Sequence, residues 1–474
     1  MRKFSLIVIF TISVSAIFAQ QNWSLEQCIQ HALQNNIQIK SQNLNTQINE
    51  NQLRQSKLSI LPGLNAGASE SFTFGRSVDN YTNEFSSENF SSTNFQVSSS
   101  VTLFSGLQQL NTVKKAEIDQ RAGLVLLDQT RNNIMLAVAS AYLNVLYALD
   151  LLEIAEQQKA ITAMQVERTI KLVNSGSLPL QNRYELEAQL ANEELNIINY
   201  QNQLDLTLLS LAQLIELENT NSFSIIRPDS EKIAIESSSL TIDQIYREAL
   251  SKMPQIEYAN LNYLSAEKNL EIAKGVLYPR LSLSGSFGTG YSTARKEIDN
   301  ITLGTPYLSG FATDNLGNIL DVYNYNFNYT YQTRPFSDQI NDNASASLVF
   351  NLSIPIFNGL QARSNMLNSR IYLDQAMLQV DQAKKDLFKE IQQAYSDAQS
   401  AVKKYSATEK TLGAVELSFD YTQKRYEQGL LNTTEYNIAK NSLTQTQTEL
   451  IRARYDMIFK HKILDFYRGV PIKL

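Results

Sequence analysis

Apolar and polar positions along this chain change period twice in its first half, then do so again in the second. Over residues 64–74, Leu64, Ala66, Ala68, Phe72 and Phe74 share one face, with Glu70 as the exception. Over 95–103, Phe95, Val97, Val101 and Leu103 oppose Gln96, Ser98, Ser100 and Thr102. Later, Leu281, Leu283, Gly285 and Phe287 alternate with Ser282, Ser284 and Ser286. Ala344, Ala346, Leu348, Phe350, Leu352 and Ile354 likewise alternate with Ser345, Ser347, Val349, Asn351 and Ser353. A period of two predicts strands. Runs of about ten residues, apolar on one face and hydroxyl-rich on the other, match strands of a transmembrane β-barrel. A soluble sandwich edge or a stalk hairpin would explain a single run; four runs, paired and repeated, favour the barrel. Four strands cannot enclose a lumen, since small barrels need about eight. Open sheet edges are not tolerated in lipid, so other copies of the chain must complete the barrel.

Between the strand runs the period lengthens to that of a helix. Ser24, with Gln27 three residues on, predicts an N-cap and a helix through about Leu58, ended by Pro62. From Leu360 to about Gln428 there is no Pro and only Gly413 interrupts, which predicts a helix on the order of 100 Å long. Its apolar stripe runs Ala376, Val380, Ala383, Leu387, Ile391, Ala394, Ala398, Ala401 and Tyr405. The matching stripe in the first half is Ala137, Ala141, Val145, Ala148, Leu152 and Ala155. Small Ala residues at such a seam let neighbouring helices approach closely. Each long helix then meets a Gly, at Ser175-Gly176-Ser177-Leu178-Pro179 and at Gln428-Gly429-Leu430-Leu431-Asn432. Gly followed by a capping residue predicts a helix-hairpin turn. Thr433 or Asn432 can cap the return helix, which runs to about Tyr467.

The two halves are in register. Leu25-Glu26-Gln27 pairs with Ile242-Asp243-Gln244, Pro62 with Pro279, Leu103-Phe104-Ser105-Gly106-Leu107 with Ile356-Phe357-Asn358-Gly359-Leu360, and Gly176 with Gly429. All the change in offset falls between Pro279 and Phe357, where the second half carries an insertion. The predicted organisation is a leader (1–19), a first repeat (20–227) with a β-hairpin at 63–104, and a second repeat (228–474). The second hairpin spans 280–357, with a long loop at 290–342. Each repeat ends in a long helical hairpin, and residues 218–239 connect the copies.

Composition narrows the class. Arg2 and Lys3, the apolar run Phe4 to Phe18, and Ala19 read as a secretory signal peptide. No later stretch is expected to supply the ~20 apolar residues of a membrane helix. One Cys and two His in an exported chain leave no disulfide framework and no His/Cys metal site. Cys28 reads as a buried helix residue. A net charge of −6, spread along the chain, gives no sign of nucleic-acid binding. No nucleophile–base set and no phosphate-binding Gly loop is present, so no enzyme and no cofactor are expected.

In both copies and in order, these features resemble the TolC-like outer membrane efflux protein family. The carrying residues are Ser24-Leu25-Glu26-Gln27 with Ala32-Leu33, the two x-Pro-x-Leu strand openings, Leu103-Phe104-Ser105-Gly106, Ile354-Pro355-Ile356-Phe357-Asn358-Gly359, and the two Gly turns. The resemblance implies a mixed α/β membrane protein. Four strands per chain would join a trimeric outer-membrane β-barrel of about twelve strands, continuing into a long antiparallel α-helical barrel in the periplasm. It implies an export duct in a Gram-negative outer membrane, serving a tripartite efflux or type I secretion system. Its partners would be outer-membrane lipid, a periplasmic adaptor and an inner-membrane transporter. Gly176, Ser177, Leu178, Gly429, Leu430 and Leu431 would form the periplasmic tip where the adaptor docks. By position from the Gly turns, Gln181, Asn182, Tyr426 and Glu435 would form the constriction. The second acidic position expected one turn after Glu435 is Ile438, so a double acidic ring is not implied. Glu435 also reads as an early-turn carboxylate favoured by the helix dipole, and Tyr426 as a packing residue.

In the insertion, Tyr323, Tyr325, Phe327, Tyr329 and Tyr331 alternate with Asn324, Asn326, Asn328 and Thr330. If both chain ends are periplasmic, this loop lies outside the cell. It is either a hairpin whose rings stack across strands or a device that narrows the mouth or binds an external partner. The competing reading of the whole chain is a periplasmic coiled-coil adaptor or structural protein, which would show one helical hairpin beside compact β-domains.

Overall fold

A computed structural model describes residues 21–81, 83–218, 220, 223–228 and 240–472. The leader expected at 1–19 and much of the connection expected at 218–239 lie outside the described residues. The chain divides into two compact units, residues up to 51 with 117–266 and 372 onward, and residues 52–116 with 267–371.

Strand β1 (Gln21–Trp23) leads into helices α1 (Leu25–Asn35) and α2 (Ile37–Leu58). Ser24 caps α1: its Oγ accepts from the Gln27 backbone N–H at 3.2 Å, and Gln27 Oε1 accepts from the Ser24 N–H at 2.9 Å. The one helix expected through Leu58 is two. Asn36 interrupts it, its Oδ1 accepting from the Gln38 N–H at 2.9 Å and its Nδ2 donating to the Leu214 carbonyl at 3.1 Å. Its side chain thus caps the second helix while tying the break to another.

Next come β2 (Gly63–Thr73), β3 (Ser77–Val78), β4 (Phe85–Ser86), β5 (Phe90–Ser105), the helices α3 (Gln108–Asn174) and α4 (Leu180–Leu214), and β6 (Phe223–Ile225). The second half runs α5 (Ile242–Lys252), α6 (Pro254–Gly275), β7 (Arg280–Ser292), β8 (Lys296–Thr313), β9 (Ile319–Thr333), α7 (Phe336–Asp342), β10 (Ser345–Ser353), α8 (Gln361–Glu427) and α9 (Thr433–Tyr467). Helix lengths match pairwise: 11 residues for α1 and α5, 22 for α2 and α6, 67 for α3 and α8, 35 for α4 and α9. Thr241 caps α5 with Gln244 as Ser24 does α1.

In the helical unit, Cys28, Ala32, Val138, Tyr142, Val145, Leu146 and Leu211 form the heart of one core. A second gathers Ile245, Ala249, Leu387, Ile391 and Ala398. The α8 stripe packs as its spacing predicts, with Leu387 and Ile391 fully buried. In α3 the expected stripe is too narrow. Ala137 is exposed, while Val138, Ala139, Leu143 and Leu146 are buried beside Tyr142 and Val145. That broad burial explains a further difference from expectation: by length and composition alone, α3 is apolar enough to cross a membrane. More than half of its most apolar stretch is covered by the protein itself. The sequence also gave no sign of the parallel pairing of β1 with β6, against which Tyr142 Oη lies 2.5 Å from the Ile226 carbonyl.

The β-rich unit holds a four-stranded antiparallel sheet, in the order β10-β7-β5-β2, and a separate two-stranded ribbon of β8 and β9. The loop expected over 290–342 is therefore mostly this ribbon, followed by α7. Strands give way to helices through paired left-handed residues, Gly106 and Leu107 (φ +59° and +63°) and Gly359 and Leu360 (φ +64° and +63°). This is the physical content of the repeated Phe-x-Gly-Leu: two successive residues take the rare left-handed conformation at each junction, and glycine takes it without penalty. At Gly106 a Cβ would also lie 2.4 Å from the Gly275 carbonyl oxygen.

Candidate functional site

Two regions carry the chemistry, and each is built from the backbone upward. In the sheet, register places like residues in rows across all four strands. One row joins Ala346, Phe287, Val97 and Ala66; the next joins Ser347, Ser286, Ser98 and Asn65. Further along, Phe350, Leu283 and Val101 form an apolar row beside Asn351, Ser282 and Thr102. Because side chains alternate between faces, the sheet has one mainly apolar face, interrupted by Glu70 and Ser99, and one face mainly of Ser, Thr, Asn and Gln, with Val349 among them. Hydroxyls pair across strands on the polar face, Ser71 with Ser92 and Ser286 with Ser347, both at 2.8 Å. The apolar face is bare: Phe350 is 65% exposed and Leu64 75%. Among the described residues, the two outer strands, β10 and β2, each have one unpaired edge.

The second region is the pair of turns α3–α4 and α8–α9. At the first, the Ser177 N–H donates to the Leu172 carbonyl at 2.9 Å and the Gly176 N–H to the Val173 carbonyl at 3.0 Å. At the second, Leu430 donates to Arg425 at 2.9 Å and Gly429 to Tyr426 at 3.0 Å. Gly176 and Gly429 have φ of +77° and +76°. This is the same helix-ending motif twice, and it requires a left-handed residue at each Gly. Ser177, Gly429 and Leu430 are exposed, while Leu178 and Leu431 are half-buried. The return helices start differently. Asn432 Oδ1 accepts from the Glu435 N–H at 2.8 Å, whereas Pro179 offers α4 no side-chain cap.

The constriction residues named from the sequence are not drawn together by hydrogen bonds. Gln181 is exposed and donates to Glu185 of its own helix at 2.8 Å; the half-buried Asn182 donates its backbone N–H to the Pro179 carbonyl at 3.2 Å. Glu435 is exposed and completes a capping box, accepting from the Asn432 N–H at 3.4 Å. The Tyr426 ring stacks on Tyr436, centroids 4.7 Å apart and planes inclined by 22°. Its hydroxyl is buried without a hydrogen-bond partner.

Sequence reasoning misses what links the helices beyond these turns. Lys440 of α9 is 2% exposed and donates to Glu193 of α4 at 2.7 Å, to the Gln158 carbonyl of α3 at 3.2 Å, and to Thr162. Burial pulls the Lys440 ammonium below its ordinary pKa, and Glu193 opposes that shift. Burial also pushes the Tyr436 hydroxyl up to about 12, with Tyr426, Glu193 and Glu427 adding to it. At the surface, Arg168 of α3 donates to the Glu427 carbonyl of α8 at 3.2 Å. The one available signal was on α3, where Gln158, Thr162, Gln165 and Thr169 recur in steps of four and three and are all buried. A polar stripe at core spacing calls for polar partners.

Among the described residues, no cluster of His, Cys, Asp and Glu is arranged to hold a metal ion. The family model described as outer membrane efflux protein matches residues 28–216 and 245–460. Outer membrane protein TolC of Escherichia coli strain K12 is 20% identical over 444 residues, covering 92% of this chain and 80% of that protein. Cation efflux system protein CusC of Escherichia coli O157:H7 is 24% identical over 440 residues, covering 90% and 82%. The crystal structure of CusC superposes with a TM-score of 0.74 at 18% identity, covering 94% of this chain and 92% of that one, which establishes a shared fold.

Proposed function

This chain belongs to the outer membrane efflux protein family, and from that premise we infer that it is the outer-membrane channel of a tripartite export system. Its partners in this reading are a periplasmic adaptor and an inner-membrane transporter, and it carries substrate from them to the cell exterior.

The observation that carries this reading is the two-faced sheet. A row of Ala346, Phe287, Val97 and Ala66 suits lipid, and a row of Ser347, Ser286, Ser98 and Asn65 suits a wet lumen. The free edges of β10 and β2 then have to be paired, and three chains would give a closed barrel of about twelve strands. The matching helix lengths and turns support descent from two copies, each giving a strand hairpin and a helical hairpin. Gly176, Ser177, Leu178, Gly429, Leu430 and Leu431 form the tip to which the adaptor docks. Gln181, Asn182, Tyr426 and Glu435 narrow the channel just inside it. For Tyr426 the stacking on Tyr436 points to ring packing as its contribution, and for Glu435 the exposed carboxylate leaves it free to face the conduit.

The test is to recover the full-length protein from outer-membrane fractions, determine its mass in detergent, and reconstitute it in planar lipid bilayers. A trimer with discrete ion conductance is expected. Recovery as a soluble periplasmic monomer without conductance would sink the reading and restore the coiled-coil alternative.

A further inference from the structure

The ribbon of β8 and β9 is firmly held at its root and bare along its length. At the root, the Arg334 N–H donates to the Arg295 carbonyl at 3.0 Å, and both guanidinium groups reach Asp342, at 2.6 Å from Arg334 and 3.2 Å from Arg295. Gln339 Nε2 donates to the Ser292 and Arg334 carbonyls at 3.0 and 2.8 Å, and the Phe336 ring packs on Phe95 and Tyr291. The ribbon is thereby fixed to β7 and, through α7, leads into β10, the open edge of the sheet.

Beyond the root, cross-strand register makes the ribbon two-faced. Ile298 pairs with Tyr331, Ile301 with Tyr329, Leu303 with Phe327, Pro306 with Tyr325 and Leu308 with Tyr323. The other face carries Asn300 with Thr330, Thr302 with Asn328, and Tyr307 with Asn324. The rings therefore meet aliphatic partners across the ribbon rather than one another. No charged residue occurs among these pairs, and Phe327 and Leu303 are 54% and 66% exposed. A two-stranded ribbon is marginal on its own, and a continuous bare apolar face of this kind marks a contact surface.

We propose that this face packs against the ribbon-bearing β-rich unit of a second copy of the chain, extending the contact between copies outward from the β10 edge. The proposal rests on the trimeric reading above. Continuity argues for a second copy, because the ribbon is rooted beside the edge strand that another copy has to pair. The residue types argue against lipid. A lipid-facing strand keeps aliphatic side chains through its centre and aromatic girdles at its ends. Here Tyr323, Tyr325, Tyr329 and Tyr331 flank Phe327 on both sides with no aliphatic centre on that strand, and Tyr is typical of protein–protein contacts.

The experiment places the photo-crosslinker p-benzoylphenylalanine at Phe327 in one full-length variant and at Asn326, on the opposite face, in another. Cells are irradiated, and the detergent-extracted protein is also weighed by native mass spectrometry. The expected result is an adduct of two chains from the probe at 327 and none from the probe at 326. A trimer whose probe at 327 labels lipid, another protein or nothing overturns the inference and leaves the trimer standing. Equal chain-to-chain crosslinking from both positions overturns the claim that the apolar face makes the contact. A monomeric mass overturns the trimer, and this inference falls with it.

Discussion

Lys440 Nζ lies 2.7 Å from Glu193 Oε1, with both side chains buried and 247 positions apart in the chain. The pair joins α9 to α4, and the same ammonium reaches α3 through Gln158 and Thr162. Glu193 Oε2 has no hydrogen-bond partner. A buried ion pair is costly to break from one side, because the remaining charge stays buried.

Lys440→Met strands the Glu193 carboxylate and should destabilise the helical unit by roughly 3–5 kcal/mol. Adding Glu193→Leu removes the stranded charge and should recover most of the loss, since apolar replacement of both partners is often neutral. Thermal unfolding followed by helical circular dichroism checks this, with detergent and protein concentration held constant because the apparent stability of an oligomer depends on both. A double variant as unstable as the single one would show that the pair is held by more than its charge.

Alkaline stability has a definite sign. Burial pushes the Tyr436 hydroxyl up to about 12, and burial with Glu390 does the same for Tyr467. Above pH 10 the unfolded chain releases protons that the folded chain retains, so stability falls as pH rises from about 10 to 12. Lys440, shifted down, acts the other way: the folded chain gives up its proton first, and stability from that group rises with pH below its ordinary value of 10.5. The raised tyrosines outnumber it, so net loss is expected. Tyr436→Phe should flatten the decline between pH 10 and 12. Unfolding measured against pH, with tyrosinate absorbance followed in parallel, decides the matter; an unchanged slope would remove Tyr436 from the account.

The strand-to-helix corners differ between copies in a way substitution can expose. Gly106 and Gly359 share a left-handed backbone, but only at Gly106 would a Cβ strike other atoms, 2.4 Å from the Gly275 carbonyl oxygen. Gly359→Ala should therefore cost only the conformational penalty, about 1–2 kcal/mol. Gly106→Ala adds a clash between backbones and should lower the yield of assembled protein much further. Heat-modifiable migration of the oligomer on gels compares the two, and equal losses would mean that the close approach of Gly106 to Gly275 is readily relaxed.

Features set by neighbouring residues were legible in the sequence, and features set by distant ones were not. The capping box of Ser24 and Gln27, the turns at Gly176 and Gly429, and the alternation of Leu281, Leu283 and Phe287 each depend on local geometry, so spacing revealed them. The pairing of Gln21–Trp23 with Phe223–Ile225 joins three-residue strands about two hundred positions apart, too short for periodicity to register. Asn36 breaks a helix through a bond to Leu214 that no local rule anticipates. Lys440 looks in sequence like any solvated charge on a long helix; only the packing of three helices makes it interior. The proposed constriction residues follow only by position from the Gly turns, and for Glu435 the fold adds a local role, the capping box, beside the proposed one.

That dual role can be separated. Gln is accepted at the third position of a capping box, so Glu435→Gln preserves the bond to the Asn432 N–H and should change stability by no more than about 0.5 kcal/mol. Asn432→Ala removes the cap itself and should cost about 1 kcal/mol. Selectivity should respond in the opposite pattern. With three chains, Glu435 would supply a single ring of carboxylates, because the position one turn further on is the apolar Ile438. Neutralising that ring should lower cation preference, moving the reversal potential toward zero in bilayers bathed by unequal KCl. Asn432→Ala, which leaves the charge in place, should keep the original reversal potential in channels that assemble. If Glu435→Gln leaves the reversal potential where it was, the carboxylate serves the helix end alone and the constriction must be sought elsewhere in the tip.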